Sequence, residues 1–161
     1  MLPRSGGTVD RTVPRSAVIS FDTNVVIYAA NASAPEQQAA AAFLQSLGRR
    51  RDVVVCELML VEIYLKLRNA RILSQPMNAA RAAAYCATLR ANNNWAVVES
   101  APVIESVWAM AGTADFAIRR IVDARLALTL RHHGVTEFAP SNVKDFEGFG
   151  FTRVWNPLLP A

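Results

Sequence analysis

Ala17-Val18-Ile19-Ser20-Phe21-Asp22 is a short, β-prone apolar run that ends on an acid. Thr23 can cap a helix through residue 30, with Asp22 directly before it. The same alternation continues outward along the chain. Val53-Val54-Val55-Cys56, Trp95-Ala96-Val97-Val98, Thr136-Glu137-Phe138-Ala139 and Thr152-Arg153-Val154-Trp155 read as further strands. Helical spacing predicts helices over 36–47, 58–73, 76–91, 102–112 and 116–133, with Pro35 and Pro76 at favourable helix starts and Gly134 in a C-cap position. Each strand is a continuous apolar run, and strands alternate with helices. That pattern predicts an α/β domain with a parallel sheet covered on both faces. Residues 1–16 are polar, carry two Pro and two Gly and show no period; they are expected to form a disordered extension before a domain over 17–161.

Sites in such sheets form beyond the carboxyl ends of the strands, and four acids are placed to meet there. Asp22 ends the first strand and Asp145 follows the fourth. Glu62 and Asp123 lie on predicted helices adjoining that edge. Each has an ordinary explanation as well. Asp22 can be a capping group, Asp145 a turn former, and Glu62 a solvated charge at the rim of an apolar face formed by Leu58, Val61 and Leu65. Asp123 stands among Ile121, Val122, Ala124, Leu126, Ala127 and Leu130, where a carboxylate is costly to bury unless Arg120, Arg125 or a cation balances it. Asn24 is placed either to hold Asp22 or to shape a turn. If the four acids converge, their mutual repulsion calls for a cation. An oxygen-only donor set without His or Cys selects Mg²⁺ or Mn²⁺ over zinc.

Ile19-Ser20-Phe21-Asp22-Thr23-Asn24, Leu60-Val61-Glu62-Ile63-Tyr64, Ile121-Val122-Asp123-Ala124-Arg125-Leu126-Ala127 and Asn142-Val143-Lys144-Asp145-Phe146-Glu147 resemble, in order, the four motifs of the PIN domain. Within that family the chain is similar to VapC-type toxins of bacterial toxin–antitoxin pairs, and Val154-Trp155-Asn156-Pro157 matches a tail seen in that group. The resemblance spans about residues 17–158. It implies a three-layer α/β/α domain with a central parallel sheet of about five strands. It also implies a Mg²⁺-dependent (or Mn²⁺-dependent) endoribonuclease held in check by a cognate antitoxin. On this resemblance Asp22 and Asp123 are the most regular metal ligands, Glu62 and Asp145 complete the site, and Asn24 supports the first acid. The chain departs from the pattern before Asn142, where Pro140-Ser141 replaces the usual Thr-Arg. Ser141 can supply the missing hydroxyl; the missing guanidinium bears on RNA grip or rate.

The bulk properties agree with these readings. At 161 residues and 52% hydrophobic, the chain fills one core. No apolar run is long enough for a bilayer, and the first residues lack the apolar core of a signal peptide, so a cytoplasmic protein is expected. Cys56 and Cys86 read as reduced core thiols. Apart from Lys66 and Lys144, the positive charge is arginine. Taking the four site acids from the 13 carboxylates leaves 9 against 17 basic residues, a net +8 around an acidic centre, which suits a polyanion such as RNA. Arg68 and Arg71, expected on the helix of Glu62, and Arg119, Arg120 and Arg125 beside Asp123, are candidate phosphate contacts or plain salt-bridge residues. His132 and His133 are expected to be structural at a helix end. Trp95, Trp108 and Trp155 read as core or homodimer contacts. Two other functions stand beside this one. A haloacid-dehalogenase-type phosphatase needs a second Asp two residues after the first, where this chain has Asn24. A catalytically impaired PIN domain that binds RNA or protein is the alternative that Pro140-Ser141 keeps open.

Overall fold

The computed structural model describes residues 17–160. The expectation for 1–16 lies outside the described residues. Five strands, β1 (Ile19–Phe21), β2 (Val54–Cys56), β3 (Ala96–Val98), β4 (Glu137–Ala139) and β5 (Arg153–Val154), alternate with helices. The helices are α1 (Thr23–Ala30), α2 (Gln37–Leu47), α3 (Glu57–Leu67), α4 (Ala79–Arg90), α5 (Ile104–Ala111) and α6 (Arg120–His132), with a 3-10 turn at Val143–Phe146. All strand pairs are parallel, in two ladders: β1-β4-β5 and β2-β3. A parallel bridge between Ile19 and Val53, with the Ile19 N–H donating to the Asp52 carbonyl at 2.8 Å, joins them. The strands therefore run β3-β2-β1-β4-β5, the five-stranded parallel arrangement expected.

Every residue of β1 and β2 is buried. Successive strand residues face opposite sides of a sheet, so both faces are covered and continuous apolar runs are required. Phe21, Phe138, Ile19, Val53 and Val55 form the centre of the core, joined by Leu47, Met59, Ile63, Leu67 and Leu130 from the helices. Gly134, at φ 83°, follows α6 in the left-handed conformation that closes helices, as expected.

Several boundaries differ from expectation, each for a local reason. The cap of α1 is Asp22 itself, whose Oδ1 accepts from the Thr23 N–H, and not Thr23. α3 stops at Leu67 because Asn69 folds its side chain onto the Arg71 N–H at 2.9 Å, a bond that competes with helix continuation. Arg71 therefore stands beyond that helix. α4 begins at Ala79, after Asn78 caps it by accepting from the Arg81 N–H at 2.9 Å, and Pro76 lies upstream in the loop. α6 begins at Arg120, preceded by a turn in which the Phe116 N–H donates to the Thr113 carbonyl.

The phase of α3 also differs. Met59, Leu60, Ile63 and Leu67 face the core, whereas Val61 and Leu65 are 60% and 62% exposed. The helix carries two apolar stripes at helical spacing, and packing on the sheet selects the first. Cys56 is buried and Cys86 partly so, and both are free thiols. Among the described residues no helix is long and apolar enough to cross a membrane.

Candidate active site

Parallel strands end together at one edge, and there β1 delivers Asp22. The Asp22 N–H donates to the Ala139 carbonyl at 3.2 Å, which ties the ends of β1 and β4. The side chain is 6% exposed and accepts from the Thr23 N–H at 2.8 Å. Burial pushes its carboxyl above the ordinary range; Glu62 adds to the rise, while Lys66 and the Thr23 and Asn24 amides oppose it.

Glu62 projects from α3 and is half-buried. One turn on, the Lys66 ammonium lies 2.6 Å from Glu62 Oε1, a spacing that sets both on one helical face. The same Nζ donates to Asn24 Oδ1 at 2.8 Å and to Thr23 Oγ1 at 3.0 Å. The Asn24 side chain thus accepts from the lysine, while its backbone amide faces the Asp22 carboxylate. Lys66 is a site residue that none of the acidic motifs marks. Its one sequence signal is the i,i+4 step from Glu62.

Asp123 stands in the first turn of α6, where helical N–H groups favour a carboxylate. It is half-buried and makes no ion pair among the described residues, so neither Arg120 nor Arg125 balances it. Arg120 lies instead over the Phe149 ring, 5.4 Å from its centroid, and Arg125 is exposed beside an apolar groove. The Asp123 carboxyl is pushed up to about 6. Burial is the largest cause, followed by the negative fields of Asp22, Asp145 and Glu62, against a smaller lowering by Lys66. Asp123 therefore feels the charge of the other three acids, which come from three other segments of the chain.

Asp145 lies exposed on the 3-10 turn and accepts from Asn142 Nδ2 at 2.7 Å. Phe146 anchors this turn, with its ring 4.7 Å from that of Phe138 in β4. Pro140 is buried, and the carbonyl of the partly buried Ser141 accepts from Asn156 Nδ2 at 2.9 Å, so the tail residue Asn156 clamps the segment that leads to Asp145. Arg68 caps the end of α3, exposed and donating to the Tyr64 hydroxyl at 2.8 Å. Trp95 is core, edge-on to Phe21 and donating to the Leu47 carbonyl at 3.0 Å. Trp108 is 59% exposed, on a groove of about 590 Å³ between α3, α5 and α6 that also shows Val61, Leu65 and Val122.

Among the described residues, no three carboxylate, imidazole or thiol groups converge tightly enough to form a ready-made metal cage. The donor chemistry nonetheless fits a hard divalent ion. The set is all oxygen, and the rise at Asp22 and Asp123, which comes first from burial and then from neighbouring carboxylates, is one that a bound cation offsets.

A parallel α/β domain with Asp22 at the end of its first strand and Asp123 on α6 within the fields of Asp22, Asp145 and Glu62 defines the class. The chain belongs to the PIN domain family, whose model matches residues 19–147. Ribonuclease VapC24, found in two strains of Mycobacterium tuberculosis, is 52% identical over 141 residues, covering 88% of this chain and 97% of the relative. Solved structures with the same fold include VapC20 of Mycobacterium tuberculosis, described as a sarcin-ricin-loop-cleaving toxin. It has a TM-score of 0.63 at 21% identity and covers 83% of this chain and 96% of its own. FitAcB from Neisseria gonorrhoeae aligns with a TM-score of 0.57 at 18% identity, covering 86% and 97%. FitAB bound to an IR36 DNA fragment gives 0.58 at 18% identity, covering 89% and 97%.

Proposed function

We propose that this chain is a Mg²⁺-dependent (or Mn²⁺-dependent) endoribonuclease and the toxin of a toxin–antitoxin pair, built on one domain over 17–161 and acting in the cytoplasm. The observation that carries this reading is Asp123, raised to about 6 by burial and by the charges of Asp22, Asp145 and Glu62. The 52%-identical relative named as a ribonuclease supports it.

In this reading Asp22 and Asp123 are the direct ligands, and Glu62 and Asp145 complete the site. A bound divalent ion supplies a lowered water pKa and neutralises charge growing on the phosphodiester oxygens. The protein supplies position. Thr23 and the start of α1 fix Asp22, Asn142 fixes Asp145, and Lys66 fixes Glu62. Buried Asp22 excludes bulk water from one side, while exposed Asp145 leaves the other open to a strand of RNA. Exposed Arg68 and Arg125 contact RNA phosphates, and Ser141 stands where the missing guanidinium would have gripped. A cognate antitoxin covers the acidic edge. A second copy of the chain is assigned to the apolar groove around Trp108; sedimentation as a monomer at micromolar concentration would contradict this.

The function is tested on purified protein with total RNA. Cleavage is expected with Mg²⁺, lost with EDTA and restored by excess Mg²⁺; cleavage that persists in EDTA would refute metal dependence. Charge reversal at Arg68 and Arg125 is expected to weaken RNA binding and flatten its salt dependence, by a slope of about one for each phosphate no longer neutralised. Unchanged slopes in filter binding would return both residues to plain surface roles.

A further inference from the structure

The ammonium of Lys66 pairs with Glu62, and its field reaches Asp22 and Asp123. An ammonium has three donors and no acceptor, and here all three have partners: Glu62 Oε1 at 2.6 Å, Asn24 Oδ1 at 2.8 Å and Thr23 Oγ1 at 3.0 Å. An exposed i,i+4 pair on one helix is a weak and mobile contact. This lysine differs on two counts. Its side chain is only 22% exposed, and two of its three bonds cross from α3 to α1. Its charge also lowers the carboxyls of both Asp22 and Asp123, so it faces the site and not the solvent.

Carboxylate sites for phosphodiester cleavage commonly take two divalent ions about 3.5–4 Å apart. We infer that in this protein Lys66 is the resident cation of the Glu62 side: it takes the place of a second ion and leaves the Asp123 side open to a single divalent metal. The inference rests on the proposed metal site and adds its stoichiometry. It assigns Lys66 as a positioning residue, since the amine holds one Glu62 oxygen and fixes a unit positive charge beside Asp22. A second divalent ion arriving there would meet that charge and would have to displace three hydrogen bonds. On the Asp123 side, the nearest cation whose field is felt is the same lysine, and the remaining charges are carboxylates.

The test is direct Mn²⁺ binding to the whole protein without RNA, counted by electron paramagnetic resonance and by calorimetry, for wild type, K66M and K66R. K66M keeps the length of the side chain and removes the charge. It is expected to bind one more Mn²⁺ per chain than wild type. Its tightest site is also expected to gain about tenfold in affinity, the water-screened effect of a unit charge on a divalent ion several ångströms away. K66R is expected to match wild type in count. If K66M melts lower but binds Mn²⁺ with the wild-type count and affinity, Lys66 is only a tie between α1 and α3 and the inference fails. Two ions already bound by wild type would overturn it while leaving the metal site intact. No Mn²⁺ bound by either protein would remove the metal site and the inference together.

Discussion

Asp123→Asn is expected to lower RNA cleavage by more than about a hundredfold, since even outer partners of a metal ligand commonly cost 10–100-fold. At the same time it should stabilise the metal-free protein at neutral pH. The second half follows from linkage. Asp123 has its folded pKa raised from 3.8 to about 6. Its contribution is favourable when protonated, fully present below the unfolded value, and lost as pH rises through about 6. The metal-free wild type should therefore lose stability between about pH 4 and pH 7, and Asp123→Asn should flatten that decline. Burial is the largest cause of the shift, so the amide also spares the desolvation of a charge. Thermal melts in EDTA across that range, beside cleavage assays in Mg²⁺, separate a functional acid from a structural one. A variant that melts lower than wild type at pH 7 would show that Asp123 holds the fold together.

Phe138→Ala is expected to be the most damaging single core change. Phe138 is fully buried on β4, between Phe146 at 4.7 Å and Phe151 at 5.2 Å between centroids. Truncation there removes the ring that seats the turn carrying Asp145 against the sheet. Buried Phe→Ala changes cost about 3–5 kcal/mol, which for a domain of this size lowers the melting temperature by roughly 10 °C. Because Phe146 loses its partner, metal affinity should fall alongside stability. A melting shift of only a degree or two would mean that the Phe146 turn is anchored elsewhere.

The strands and their order of appearance were legible because a parallel sheet covered on both faces demands continuous apolar runs, and Ile19–Phe21 and Val54–Cys56 are such runs. All four acids were legible one by one. The expectation that they meet at one site came from the family resemblance and from the rule that sites gather at strand ends, since no local signal in Glu62 or Asp145 reports on Asp123.

What escaped was set by tertiary contact or by side chains competing with the backbone. α3 offers one apolar stripe through Leu58, Val61 and Leu65 and another through Leu60, Ile63 and Leu67, and only the sheet decides which is buried. Asn78 moves the start of α4 past Pro76, and Asn69 ends α3 early, each through one side-chain bond. Lys66 does not stand out in the sequence because a lysine four residues after a glutamate is ordinary on a helix surface. Its bonds to Thr23 and Asn24 exist only once α1 and α3 have docked.

The central claim is that Asp22 and Asp123 serve one metal-dependent cleavage site. The most direct measurement incubates wild type and an Asp22→Asn/Asp123→Asn variant with total RNA in Mg²⁺, after both are shown to be folded by circular dichroism. Discrete RNA fragments from the wild type and intact RNA from the variant are predicted. The same fragment pattern from both proteins would contradict the account.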